Sequence, residues 1–190
     1  MSWKETYEEW LNQPKMAPAL KAELKAMKDD QEIEDAFYGP LSFGTAGMRG
    51  LMGPGINRMN IYTVRQATEG LAVLMDSLGD DIKKRGVSIS YDSRHHSREF
   101  AHDCARVLGA HGIQTYIYDN VRPTPELSFA VRYNHSYAGI MITASHNPKE
   151  YNGYKIYGED GGQMPPKESD MMTGYIRQIK DIIPSIFKRS

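Results

Sequence analysis

The sequence predicts an α/β fold: a mixed, largely parallel sheet sandwiched between helices, with an N-terminal helical arm. Three observations carry this. Short apolar runs of strand type at 86–91, 113–118 and 138–142 alternate with segments whose apolar residues recur every three or four positions. Such alternation indicates parallel strands joined by right-handed helical crossovers. Each strand-like run also ends in a cluster of polar residues, and in open α/β sheets ligands bind outside the carboxyl ends of the strands.

Residues 2–36 are helical in pattern, acidic early (Glu5, Glu8, Glu9) and broken near Pro14 and Pro18. Leu20, Leu24 and Met27 form a stripe that Ile33 and Phe37 continue, and the spacing of Trp3, Tyr7 and Trp10 fits one buried face. Residues 1–40 are therefore expected to form an arm packed on a domain spanning 41–190. Five glycines between 44 and 55 follow, implying backbone shapes that a Cβ resists. From 60 to 78, Ile61, Val64, Ala67, Leu71, Leu74, Met75 and Leu78 keep helical steps, and Gly79 closes the helix. The strand at 86–91 runs into Asp92-Ser93-Arg94, after which Ser97 is placed to cap a helix with Phe100, Cys104, Val107 and Leu108 on its apolar face. The strand at 113–118 enters Arg122-Pro123-Thr124-Pro125 and a helix from 125 to 133. After the strand at 138–142, a short strand at 155–157, a turn at 158–162 and a final helix at 166–182 complete the chain.

Composition bounds the function. A chain of 190 residues with 40% hydrophobic and 25% charged content supports one well-cored domain. The net charge of −1 gives no push towards nucleic acid or acidic membranes. Charge is uneven, however: residues 1–40 hold five lysines against nine carboxylates, whereas 41–190 hold eighteen basic against fifteen acidic residues. The positive excess lies with the polar clusters, where an anionic ligand would want it. The single cysteine, Cys104, excludes an internal disulfide and sits in a helical pattern, as a buried thiol rather than a nucleophile. No apolar run nears the ~20 residues that span a bilayer, and the N-terminus is unlike a signal peptide. A cytoplasmic protein is expected.

The segment most suited to chemistry is Thr143-Ala144-Ser145-His146-Asn147-Pro148, with Asn152-Gly153-Tyr154-Lys155 just after it. An apolar strand stops abruptly there and presents a hydroxyl, an imidazole, an amide and an ammonium together. Pro148 biases Asn147 towards extended geometry and donates no backbone hydrogen bond. Ser145 is the leading candidate nucleophile. Three further clusters, Thr45/Arg49, Asp92/Arg94 and Arg122/Thr124, are expected to converge on the same sheet edge.

This order of residues resembles the active-site serine loop of the α-D-phosphohexomutases, the phosphoglucomutase and phosphomannomutase superfamily. Gly44-Thr45-Ala46-Gly47-Met48-Arg49-Gly50, Tyr91-Asp92-Ser93-Arg94 and Arg122-Pro123-Thr124-Pro125 match as well. Asn57-Arg58-Met59-Asn60 and the Gly161-Gly162-Gln163 turn look most like the bacterial phosphoglucomutase branch. The resemblance implies that Ser145 carries a phosphoryl group, passes it to a phosphorylated sugar and recovers one from the bisphosphate so formed. It also implies Lys155 as a proton-transfer group, Arg49 as a phosphate grip, and His146 either as a hydrogen-bond partner of phosphate or substrate or as a residue that orients the loop through its backbone. Asn147 is expected to shape the loop, Arg94 to support the phosphate site with Asp92 fixing it, and Thr45 and Arg122 to bind phosphate or substrate. Mg²⁺, with a phosphoserine oxygen of Ser145 as one ligand, and glucose 1,6-bisphosphate as activator follow from the same resemblance.

Full-length members have four domains around one cleft, and an Asp-x-Asp-x-Asp-Arg loop of the second supplies the remaining metal ligands. No such segment occurs in these 190 residues. The chain is therefore expected to be a first domain that needs the other domains of the same enzyme as partners, to have negligible turnover alone, and to self-associate through an exposed apolar face. A non-catalytic anion-binding or docking domain on the same scaffold is the alternative. Glucose, mannose and pentose phosphates stay open as substrates.

Overall fold

A computed structural model describes residues 2–44, 47–180 and 182–183. Its elements are α1 (Trp3–Asn12), α2 (Pro18–Ala26), α3 (Asp30–Phe37), β1 (Met48–Leu51), α4 (Ile61–Leu78), α5 (Asp80–Arg85), β2 (Val87–Tyr91), α6 (Ser97–Ala110), β3 (Thr115–Ile117), α7 (Thr124–Tyr133), β4 (Ala138–Ile142), β5 (Tyr151–Tyr157) and α8 (Pro166–Gln178).

The five strands form one sheet in the order β1-β5-β4-β2-β3. β2 pairs in parallel with β3 and with β4, whereas β5 pairs antiparallel with β4 and with β1. The α/β fold and mixed sheet are as expected, but parallel pairing is confined to the half built through helical crossovers. Beyond β4 the chain turns back through the short 143–150 loop, which leaves only an antiparallel return. β2 and β4 are buried at every position, as strands covered on both faces require. On one face Val87, Ile89, Ile140 and Ile142 share a core with Val64, Leu71 and Met75 of α4 and Phe100, Cys104 and Leu108 of α6. On the other, Leu127 and Val131 of α7 pack on Met141.

The crossovers set the position of the site. From β2 the chain passes through α6 to β3 on one side; from β3 it returns through α7 to β4 on the other side of β2. The direction of winding reverses between β2 and β4, and in open α/β sheets ligands bind outside the carboxyl ends of the strands at such a reversal.

The arm buries Trp10, Leu24, Ile33 and Phe37 with Tyr62 and Ile182, and Trp10 meets the Phe37 and Tyr62 rings edge-on at 5.5 and 5.8 Å. Two local expectations are corrected. Ser97 is the first helical residue of α6 rather than its cap; His96 takes that place in a left-handed conformation (φ 63°). The Ser97 hydroxyl is drawn off by the Asp92 carboxylate, to which it donates at 2.7 Å. The last helix stops at Gln178, because Ile179 turns extended (φ −84°, ψ 98°), and Ile179 and Ile182 pack with the arm's apolar cluster.

Candidate active site

Ser145 stands three residues beyond the end of β4, exposed, in a left-handed backbone conformation (φ 54°) that a residue with a Cβ adopts only when its surroundings impose it. The surroundings do. Thr143 extends the ladder by donating to the Gly153 carbonyl at 3.0 Å, and its side-chain oxygen accepts the Ser145 N–H at 3.0 Å. Ala144 is fully buried, and its carbonyl accepts the Asn147 N–H at 3.1 Å. A tight loop with a buried foot thus lifts the serine hydroxyl into solvent.

Lys155 reaches that hydroxyl from β5. Its register partner on β4 is Met141, and its Nζ donates to Ser145 Oγ at 2.7 Å. Burial, and then the positive charge of Arg49, hold its pKa below the ordinary lysine value of 10.5. Arg49 comes from β1, opposite Gly153 of β5, and its Nη1 donates to Asn147 Oδ1 at 2.7 Å. Asn147 thus holds this guanidinium at the serine loop.

Arg94 approaches from the end of β2. It donates to the carbonyls of Ser145, Asn147, Pro148 and Tyr151, and its Nε lies 3.3 Å from Asp92 Oδ2. His146 is exposed beside the serine, and its side chain makes no hydrogen bond among the described residues. Arg122 follows β3 at the same sheet edge, with its N–H on the Tyr91 carbonyl, yet its guanidinium makes no contact with the serine loop. It is held instead by Glu126 at 3.3 Å and Asp119 at 3.7 Å and lies over the Tyr118 ring. Thr45 lies outside the described residues. Burial pushes the Cys104 thiol up to about 12, which suits a core residue.

Sequence reasoning gave Asn152 and Gly153 no role of their own. Asn152 is fully buried; its Nδ2 donates to the His95 carbonyl at 3.1 Å and to Ser97 Oγ at 2.9 Å, while its Oδ1 accepts the Gly153 N–H at 2.8 Å. It ties β5 to the segment after β2. The signal was an Asn-Gly pair in a stretch too apolar to be a turn.

No group of three or more His, Cys, Asp or Glu residues suited to a metal occurs among the described residues. The charged side chains that reach the serine loop, Lys155, Arg49 and Arg94, are cations, and the Asp92 carboxylate is taken up by Arg94 and Ser97. Mg²⁺ asks for about six oxygen ligands, and the described residues alone do not fit that demand.

The serine loop, with Lys155, Arg49 and Arg94 gathered on it, lies at the reversal point of the α/β sheet. Residues 40–182 match the family described as phosphoglucomutase/phosphomannomutase, alpha/beta/alpha domain I. The chain belongs to that family. It is 48% identical over 151 residues to a phosphoglucomutase of Staphylococcus saprophyticus, covering 80% of this chain and 27% of that protein. A phosphoglucomutase of Staphylococcus epidermidis is 47% identical over 149 residues, covering 78% and 27%. Among solved structures, a putative phosphomannomutase from Thermus thermophilus is similar with a TM-score of 0.64 at 29% identity, over 73% of this chain and 30% of that one. The chain thus spans 27% of the length of these curated relatives.

Proposed function

We propose that this chain is the phosphoryl-carrying domain of a sugar phosphomutase, which interconverts hexose 1-phosphate and 6-phosphate through a phosphoserine at Ser145 and a bisphosphorylated sugar. The observation that carries the reading is the 2.7 Å contact between Lys155 Nζ and an exposed Ser145 Oγ, with Arg49 held on the same loop by Asn147 and near enough to act on the Lys155 charge. In the forward step the P–O bond to Ser145 Oγ breaks and a P–O bond to the sugar hydroxyl forms. The hydroxyl proton leaves to neutral Lys155, and a proton passes from the lysine to Ser145 Oγ along the contact already made. The depressed pKa of Lys155 enlarges the neutral fraction that this shuttle needs. Arg49, delocalised and always charged, stabilises the equatorial oxygens of the transferring group.

Mg²⁺, when bound to the phosphoserine, would neutralise charge on the phosphoryl oxygens, with its other ligands supplied from outside these residues. Glucose 1,6-bisphosphate would charge Ser145. We read residues 1–40 as an arm, 41–190 as the carrier domain, and the lone thiol as fitting the cytoplasm. The other partners are the phosphorylated sugar and further domains of the same enzyme, so the 190-residue chain alone is inactive in this reading.

A chimaera tests the proposal: residues 40–182 replace the matching part of the Staphylococcus saprophyticus phosphoglucomutase. With glucose 1,6-bisphosphate and Mg²⁺, mass spectrometry should find phosphate on Ser145, and glucose 1-phosphate should turn over. The Ser145→Ala chimaera should do neither. Turnover surviving that substitution, or a folded chimaera that never carries phosphate, defeats the reading and favours a non-catalytic anion-binding domain.

A further inference from the structure

We propose that Arg94 is a positioning residue that holds the serine loop in shape, committing all four Nη donors to that task and none of them to phosphate. A guanidinium offers five N–H donors in a rigid fork. Here Nη1 gives two, to the Pro148 carbonyl at 2.7 Å and the Tyr151 carbonyl at 3.1 Å. Nη2 gives two, to the Ser145 carbonyl at 2.9 Å and the Asn147 carbonyl at 2.6 Å. Nε faces Asp92 Oδ2 at 3.3 Å.

Four carbonyls from one seven-residue segment, 145–151, thus converge on a single planar cation. Left alone, carbonyls crowded in this way repel one another and lack partners. The left-handed turn at Ser145 directs one of them inward, so the strained residue and the arginine are two sides of one arrangement. The arginine is itself fixed from behind. Asp92 Oδ1 accepts the Arg94 N–H at 3.0 Å and the Ser97 hydroxyl at 2.7 Å, and Ser97 accepts from the buried Asn152 at 2.9 Å. The loop after β4, the end of β2, the first turn of α6 and the start of β5 are therefore clasped at one point.

Arg49 differs in kind. It is exposed, and among the described residues its side chain makes one hydrogen bond, to Asn147. The two arginines divide the work: Arg49 faces the anion and Arg94 faces the backbone. A lysine could take over only part of the second role, since its three donors sit on a point charge and cannot serve four carbonyls and a carboxylate.

Hydrogen exchange on the chain, wild type against Arg94→Lys, tests the clasp. Protection of the Asn147 and Tyr151 amides should fall about tenfold or more, while amides of α4 and β2 keep theirs. Unchanged protection in the loop, or a loss spread evenly over the sheet, overturns the proposal. Should Arg94→Lys fail to fold, Asp92→Asn decides, by local loosening or by none. The kinetic consequence rests on the phosphoryl-carrier reading of Ser145. In the chimaera Arg94→Lys should lower kcat about 10²-fold, with KM for glucose 1-phosphate within about threefold of the unsubstituted chimaera. A raised KM at constant kcat would mean that Arg94 grips phosphate, contrary to the proposal. If the unsubstituted chimaera never takes phosphate, the carrier reading fails and hydrogen exchange alone judges the clasp.

Discussion

In the proposed transfer at Ser145 and Lys155, the chemistry turns on which group can hold a proton. A lysine at its ordinary pKa of 10.5 is almost wholly charged at neutral pH and can only donate. Burial against β1 and β4, and then Arg49, push it down. Arg49→Met removes the second cause, so the Lys155 pKa should rise towards its ordinary value. Titration of the Lys155 side-chain NMR signal reads this directly, and an unchanged midpoint would show that Arg49 exerts no field there. Lys155→Met in the chimaera should cost about 10²–10⁴ in kcat, the range of general acid–base catalysis, with phosphate binding largely kept through Arg49. Turnover measured across pH then separates the two, because only Lys155→Met removes the titrating group itself.

The elements around the serine loop are held by backbone approach as much as by side chains. Gly153 sits mid-strand on β5, where a Cβ would lie 2.5 Å from the Thr143 carbonyl oxygen and 3.2 Å from that of Met48. Both are backbone atoms in neighbouring strands and cannot swing aside. Gly153→Ala should therefore destabilise by about 1–3 kcal/mol, seen as a lower urea midpoint at unchanged slope. This close packing also explains what the sequence hid. The long helix α4 was legible because Val64, Ala67, Leu71, Leu74 and Met75 are buried at helical spacing, and β2 and β4 because every position is buried. α5 buries no residue, so it has no stripe to read. β1 carries Arg49 and Gly50 in a glycine-dense stretch, and its identity as a strand comes from pairing with β5, about a hundred residues away. For the site, Ser145, Lys155 and Arg49 stood out as chemical types. The meeting of Asp92, Ser97 and Asn152 did not, because it depends on how the ends of β2 and β5 are stacked.

Over the whole molecule, the charges that bind helix to helix set the pH range of stability. His111, at the end of α6, is almost enclosed and has a carboxylate on each ring nitrogen: Asp76 Oδ2 at 2.6 Å from Nδ1 and Glu69 Oε2 at 3.0 Å from Nε2, both from α4. Lys83 of α5 reaches Asp76 Oδ1 at 2.9 Å. Two acceptors on one imidazole favour the doubly protonated ring. The hydrogen bond to Glu69 raises the His111 pKa above 6.5, burial opposes it, and Asp76 adds to the rise. For Asp76 burial works towards a higher value, but Lys83 and His111 prevail and bring it below 3.8. A raised histidine contributes stability that is complete below about pH 6.5 and is lost as pH climbs through its folded value. A lowered carboxylate contributes stability present above about pH 3.8 and lost as pH falls through its own. The network is therefore fully engaged between these limits and weakens on the alkaline side as pH rises above about 6.5 through the folded value of His111. Thermal melts of the chain should show a higher Tm at pH 6 than at pH 8.5, and His111→Gln should remove most of that difference. At pH 6 the same substitution should cost about 1–3 kcal/mol, the penalty of leaving two half-buried carboxylates without their charged partner. A His111→Gln protein whose Tm keeps the wild-type dependence on pH would place the alkaline loss elsewhere in the molecule.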